Sequence, residues 1–385
     1  LFFLKPVKTK VADVPTGSIH QYDAILKYFN DEPAQQNRRA HYRSITFVTT
    51  GIIAYDGGQT TMLHLGTLLS EQGYQVFYLS YVPQSAEDMA TNAEFNYPNY
   101  QGKCLDMSHL DSHQSDIWVA TLWESAYVIK SKPGYKMYFV QDYEPYFYPF
   151  GDRYQLAKRT YDLGLHIISL GPWCVKMIED QCDPHGIIDQ INFPIDLDHY
   201  PLKERDFNTY KDMATVKLAV YTKWTSPRRA PITIQLVLKN AEAILAKKGI
   251  TLKIRYFGSP KSKHFINGKN LGKLTRPEMN ALYHWADFGI APSMTNFSLV
   301  PFEMMSTGLP FIDFLEGTGR YFLPDTGYIP THMDEKALAQ TILDTVRQPE
   351  GLPKMIHESN KYLHSVTWDR TINSFIKILD SLQLS

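Results

Sequence analysis

Ala291-Pro292-Ser293-Met294-Thr295-Asn296-Phe297-Ser298-Leu299-Val300-Pro301-Phe302-Glu303-Met304-Met305-Ser306-Thr307-Gly308-Leu309-Pro310 reads as strand end, loop, acidic helix, sharp stop and next strand. The apolar run Asp287-Phe288-Gly289-Ile290-Ala291 before it predicts a buried parallel strand. Pro301 suits the first turn of a helix, and Gly308-Leu309-Pro310 ends that helix by left-handed capping and proline exclusion. Backbone N–H groups of Phe297, Ser298, Leu299 and Val300 then fall where a helix N-terminus carries roughly half a positive charge, a place suited to a phosphate. Glu303, one turn in, has two readings: it caps the dipole, or it accepts hydrogen bonds from a neutral diol such as a ribose.

Outward from this segment, short apolar strands alternate with helical patterns. Ser44 to Thr50 is a β-branched run that leads through Gly51 and the Gly57-Gly58 pair into a helical pattern from Thr60 to Glu71, closed by Gly73. Val76 to Leu79, Ile117 to Ala120, Met137 to Val140 and His166 to Ser169 read as further strands. The pattern breaks at Asn192 to Pro201 and restarts with Val216 to Tyr221, a helix from Ile232 to Lys248, a strand from Leu252 to Phe257 and a helix from Pro277 to Trp285. Phe311 to Phe314 and two closing helices, near Lys336 to Val346 and Asp369 to Leu382, complete it.

This alternation predicts an α/β chain of two Rossmann-like, doubly wound domains with ligand bound at the carboxyl ends of the strands. Expected divisions are an N-terminal extension over 1–40 with a helix from Ser18 to Phe29, a first domain over 41–198, a second over 199–365, and a C-terminal helix in 366–385 packing back on the first.

At 385 residues the chain is longer than one core usually sustains. Thirty-nine basic against forty acidic residues argue against a nucleic-acid footprint or a broad anionic-membrane surface. Cys104, Cys174 and Cys182 have neither CxxC spacing nor an even count, which disfavours disulfide and zinc scaffolds and fits a cytoplasmic setting. No apolar run approaches the ~20 residues of a membrane span, and Leu1-Phe2-Phe3-Leu4 is too short for a signal segment. His64, His109, His113, His166 and His185 lack metal-ligand spacing.

Gly57-Gly58 does not complete GxGxxG, so a nicotinamide dehydrogenase loses its main support; the pair makes a tight turn or lets backbone approach a ligand. Lys223, Arg228 and Arg229 follow the first strand of the second domain, where cations either form a solvated basic turn or hold a diphosphate by charge-assisted hydrogen bonds. Gln141-Asp142-Tyr143-Glu144-Pro145-Tyr146-Phe147-Tyr148-Pro149 interleaves carboxylates with aromatics, a sugar platform or a packing lid.

With these parts assembled, the chain from about residue 44 onward resembles the GT-B glycosyltransferases of family 4, two Rossmann-like domains facing across a cleft. Pro292, Ser293, Phe297, Leu299, Glu303, Gly308 and Pro310 keep the family frame, while Thr295 stands where the family has a first Glu, and Asn296 and Ser298 replace glycines. The resemblance implies that Glu303 binds the nucleotide ribose and that the Phe297 to Val300 amides hold the diphosphate. Thr295, Asn296 and Gly272 join the donor-side residues, and Lys223, Arg228 and Arg229 neutralise the leaving group. Acceptor-side or cleft residues are Gly57, Gly58, Gln141, Asp142 and Glu144.

More narrowly, Phe139 to Pro149 with Pro227-Arg228-Arg229 looks like the bacterial rhamnosyltransferase branch, near the enzymes of Geobacillus S-layer rhamnan synthesis. That implies a retaining transfer of L-rhamnose from dTDP-β-L-rhamnose, with no cofactor and no divalent metal required. The implied acceptor is a rhamnose-containing, lipid-linked glycan, met at the inner face of the membrane by peripheral association. A noncatalytic binding protein of the same fold and a sugar-nucleotide epimerase are the alternatives.

Overall fold

The structure, a computed structural model, describes residues 23–30 and 32–383. Of the helix expected over Ser18 to Phe29, residues 18–22 lie outside the described residues, and α1 spans Asp23–Leu26. The chain divides into two compact units, one comprising residues up to Asn37 with Arg43–Lys136, the other Arg38–Tyr42 with Met137 onward. The junction expected at 198/199 lies inside the second unit.

In the first unit, β1 (Ser44–Thr49), α2 (Gly57–Glu71), β2 (Gln75–Ser80), α3 (Ala86–Asn96), β3 (Lys103–Leu105), β4 (Ile117–Ala120) and α4 (Trp123–Ile129) follow in chain order. Strand order is β3-β2-β1-β4, with β1 parallel to both neighbours, so the order reverses between β1 and β4. Ile45, Phe47 and Val48 of β1 are fully buried, as are Leu63, Leu65 and Leu69 of α2, each contributing about 1.5–3 kcal/mol of apolar burial. Helix α2 begins earlier than the apolar pattern indicates: Asp56 caps it by accepting from Gln59 N at 2.9 Å, which draws both glycines into its first turn. Asn30 and Glu32 lie against this unit, with Lys130 Nζ donating to their carbonyls at 2.7 and 2.8 Å.

The second unit carries β5 (Tyr135–Val140, from Met137), α5 (Asp152–Arg159), β6 (His166–Leu170), α6 (Pro172–Gln181) and β7 (Ile188–Ile191), with β6 parallel to β5 and β7. It continues with β8 (Thr215–Tyr221), α7 (Pro231–Ala246), β9 (Thr251–Phe257), β10 (Lys269–Asn270), α8 (Arg276–Trp285), β11 (Phe288–Ile290), α9 (Leu299–Ser306), β12 (Phe311–Phe314) and β13 (Ile329–Thr331). The closing helices are α10 (Glu335–Arg347), α11 (Leu352–Leu363) and α12 (Trp368–Leu382).

Strands β8 to β13 form a parallel sheet ordered β10-β9-β8-β11-β12-β13, which reverses between β8 and β11. The loops after β8 and after β11 therefore leave the sheet at its reversal point, the place where open α/β sheets bind ligands. The core beneath them is largely aliphatic: Val216, Leu218 and Val220 of β8 share it with Ile290, Ile312, Leu238 and Ile342.

Strands β3, β7, β10 and β13 escaped sequence reading because each is short and interrupted by charged or amide residues or by proline, so no apolar run marks it. Helix α12 lies beside β7, where Thr371 Oγ1 donates to Asn192 O at 3.4 Å and Ile195 N to Val366 O at 3.0 Å.

Candidate functional site

The loop after β8 is shaped by proline at both ends. Pro227–Arg229 makes a single 3-10 turn, Ala230 takes a left-handed conformation (φ 44°, ψ 47°), and Pro231 opens α7. Thr222 Oγ1 donates to Arg229 O at 2.7 Å and Ala230 N to Pro227 O at 2.9 Å, which fixes the turn so that two consecutive arginines point in different directions. The Arg228 guanidinium lies 4.1 Å from the Phe147 ring centroid and donates to Asp142 Oδ2. The Arg229 guanidinium donates to Ser293 Oγ, and burial pushes its pKa down.

The loop after β11 comes to meet them. Met294 N donates to Arg228 O at 3.0 Å, and Thr318 N donates to Ser293 O at 2.9 Å. Thr295 Oγ1 donates to Asp142 Oδ2 at 2.9 Å, and Asn296 N to Asp142 Oδ1 at 3.0 Å. Asn296 Nδ2 donates to Gln141 O, while its Oδ1 is buried without a hydrogen-bond partner among the described residues.

Helix α9 follows with Ser298 as its N-cap, Oγ accepting from Val300 N at 3.3 Å. Helix geometry leaves the amides of the first turn outside the intrahelical ladder. Pro301 falls in that first turn, and Gly308 (φ 72°) ends the helix with its N–H on Met305 O at 3.0 Å, both as the sequence predicts. Phe297 anchors the loop instead of facing solvent: its ring stacks on Phe322 with centroids 5.2 Å apart and planes 9° off parallel.

Glu303, on the second turn of α9, accepts from Tyr283 OH at 2.9 Å and from Tyr200. Burial pushes its pKa up, opposed by those two hydrogen bonds and by the Arg276 charge. The residue as a whole is half-buried, and its carboxylate is held by the two phenols.

Comparison with known proteins bears on the fold. No protein-family model matches the chain. The O-antigen biosynthesis protein RfbC of Myxococcus xanthus is 27% identical over 215 residues, 54% of this chain, which spans only 16% of that relative's length. The sucrose-phosphate synthase of Thermosynechococcus elongatus superposes with a TM-score of 0.66 at 13% identity, over 88% of this chain and 99% of the other. Anabaena Alr3699/HepE in complex with UDP and glucose gives 0.68 at 12%, over 89% and 100%. TarM of S. aureus gives 0.68 at 9%, over 89% and 99%.

The chain has the GT-B fold.

Within this GT-B chain, the residues singled out from sequence do not all fall together. Arg228, Arg229, Asp142, Gln141, Thr295 and Asn296 form one hydrogen-bonded cluster that also includes Ser293. Lys223 is half-buried on the same loop as the arginines, its carbonyl accepting from Ser226 N at 2.8 Å. Gly272 belongs to a turn beyond β10, where φ is +90° and its carbonyl accepts from Gly258 N at 2.9 Å. Gly57 and Gly58 lie exposed at the start of α2 in the first unit, and a Cβ on Gly57 would meet no other atom within 4 Å. They sit in a helical first turn, so the tight-turn reading does not apply.

Glu144 is placed differently from the acceptor-side role given to it. It is 2% exposed, accepts from Tyr138 OH at 3.0 Å, and its N–H donates to Tyr161 OH at 3.2 Å. The rings of Tyr138 and Tyr143 each stack on that of Tyr161 with centroids 5.5 Å apart. A carboxylate enclosed in this way shapes the loop that carries Asp142 and presents nothing to a sugar.

Sequence reading missed Tyr283, Tyr200 and Thr318 because their partners lie on other elements and no local spacing marks them. It also missed Asp313 on β12, 2% exposed, whose pKa burial pushes up to about 7. An acid inside an otherwise apolar Phe-Ile-Asp-Phe strand is the signal that could have found it.

Among the described residues, no group of three or more His, Cys, Asp or Glu is arranged to hold a metal ion, and no helix is long and apolar enough to cross a membrane.

Proposed function

We propose that this chain is a retaining glycosyltransferase of polysaccharide synthesis that transfers L-rhamnose from dTDP-β-L-rhamnose to a rhamnose-containing glycan. One observation carries the reading. The turn Pro227–Arg229 brings two arginines onto Ser293 and Asp142, next to the loop that enters α9, and Glu303 follows one turn later. Guanidinium groups and helix N-terminal amides suit a diphosphate, and a carboxylate at this position suits a ribose diol. The UDP and UDP-glucose in the Anabaena HepE structures, and the O-antigen role of the Myxococcus relative, support a nucleotide-sugar donor and a cell-surface glycan product.

In this reading Lys223, Arg228, Arg229 and the amides of Phe297 to Val300 stabilise charge on the departing diphosphate. Loss of one such donor weakens catalysis about a hundredfold. Glu303 orients the nucleotide. The acceptor hydroxyl attacks from the same face as the leaving group, and a diphosphate oxygen takes its proton, so neither a general base nor a divalent metal is called for. Thr295 and Asn296 lie beside the transferred sugar. Gly57, Gly58 and Gln141 belong to the acceptor side, and the acceptor is lipid-linked at the inner face of the membrane.

The test is incubation with dTDP-rhamnose and a synthetic rhamnose acceptor in EDTA, with UDP-glucose as a comparison donor. The expected result is dTDP release coupled to glycan extension, and Arg229→Ala slows transfer about a hundredfold. Extension from UDP-glucose alone would overturn the rhamnose assignment, and no transfer from any donor would overturn the enzyme.

A further inference from the structure

Asp142 collects more hydrogen-bond donors than its place at a loop start requires. Its carboxylate is 7% exposed and accepts from the Arg228 guanidinium, from Thr295 Oγ1 at 2.9 Å, from Asn296 N at 3.0 Å and from Tyr143 N at 2.8 Å. Only the Tyr143 contact is local. The other three donors are a guanidinium, a hydroxyl and a backbone amide from the two loops at the reversal point of the second sheet, the same three chemistries that bind a phosphate.

We propose that Asp142 is an internal anion that competes with the donor's diphosphate for Arg228, Thr295 and the Asn296 amide, and so sets the donor affinity. The inference rests on the function proposed above and adds a role for Asp142 that neither acceptor binding nor loop packing supplies.

Two further features support it. The Arg228 side chain is clamped between the Phe147 ring and Asp142, and both of those residues belong to the single segment 141–147, so displacing Asp142 frees Arg228 from one partner while the aromatic face still orients it. Asn296 is 1% exposed with Oδ1 lacking a donor, while its Nδ2 is bound to Gln141 O. A buried acceptor in that condition is costly. When a diphosphate takes the place of Asp142, a hydroxyl of the sugar attached to it would supply the donor that the present arrangement withholds.

Competition has a quantitative consequence. When a fraction of the chain must release an internal contact before binding, the apparent dissociation constant rises by the inverse of the competent fraction. Asp142→Asn keeps the shape and removes the charge. It is therefore expected to tighten binding of dTDP, UDP and inorganic pyrophosphate by about tenfold, measured calorimetrically on the full chain. All three ligands respond because the contested element is the phosphate. Arg228→Ala weakens the same ligands in both backgrounds.

Equal or weaker binding of all three by Asp142→Asn would overturn the proposal and leave Asp142 as a structural tie. Tightening for nucleotides without pyrophosphate would also overturn it, since the competition would then not be for phosphate. If Asp142→Asn does not fold, Asp142→Ser is measured in its place with the same expected direction. Failure of the wild-type chain to bind any nucleoside diphosphate would instead remove the function proposed above, and this inference with it.

Discussion

The phenol of Tyr283 donates to Glu303 Oε2 at 2.9 Å, joining α8 to the second turn of α9. Tyr283 is fully buried. The bond aims the carboxylate and stabilises its charged form against a burial that raises its pKa.

A ribose ligand needs the charged carboxylate as acceptor, so nucleotide affinity should fall as pH drops through the Glu303 pKa. Tyr283→Phe removes a bond that favours the charged form, which moves this loss to higher pH. Glu303→Gln should weaken UDP or dTDP binding by about tenfold or more at pH 8, as expected for charge-assisted hydrogen bonds of about 1.5–3 kcal/mol. Calorimetry from pH 5 to 8 on the three proteins checks this, and unchanged affinity in Glu303→Gln would remove Glu303 from the site.

Asp313 should make the second unit sensitive to pH in the opposite sense from a salt-bridged acid. Its pKa rises from 3.8 to about 7 on burial, so the folded state binds a proton more tightly than the unfolded state. The stabilisation this provides is complete below about pH 4 and is lost as pH rises through about 7. Three units correspond to about 4 kcal/mol at most. Asp313→Asn should therefore be more stable than wild type at pH 8 and equal to it at pH 4, measured by urea unfolding. Parallel pH profiles would show that Asp313 is not the group responsible.

Ala230 holds a left-handed conformation that glycine adopts without strain. Relief of about 1–2 kcal/mol is offset by the larger backbone entropy glycine loses on folding, so Ala230→Gly should stabilise by up to about 1 kcal/mol. The same change loosens the turn that aims Arg228 and Arg229. Turnover should fall while the urea midpoint rises, and a loss of both would show that the methyl group packs more tightly than the backbone conformation suggests.

Asn296→Asp should be among the most damaging single changes in the second unit. It would set a second buried carboxylate against Asp142 and aim it at the Gln141 and Leu170 carbonyls that now accept from Nδ2. The cost should be about 3–5 kcal/mol, as for an uncompensated buried charge. Asn296→Ala, which also removes the orphaned Oδ1, should cost clearly less. Urea unfolding of both variants is the check, and the reverse ranking would contradict the hydrogen-bond assignment.

Where the information was local, the sequence was enough. Helix α9 and its glycine stop, the strands β1, β4, β8 and β12, and the α/β alternation follow from residue patterns within a single element, because periodicity and capping act over one or two turns. The cations of 223–229 and the helix start within 295–303 were legible for the same reason, since both segments directly follow strand ends.

Tertiary structure alone decided which of these groups meet. Asp142 and Glu144 are two residues apart in one acidic, aromatic loop, yet one carboxylate receives Arg228, Thr295 and Asn296 while the other is sealed beneath Tyr138 and Tyr161. No local rule separates them. Their difference comes from which groups arrive from residues 6 to 154 positions away, and such contacts are set by the packing of whole sheets and helices.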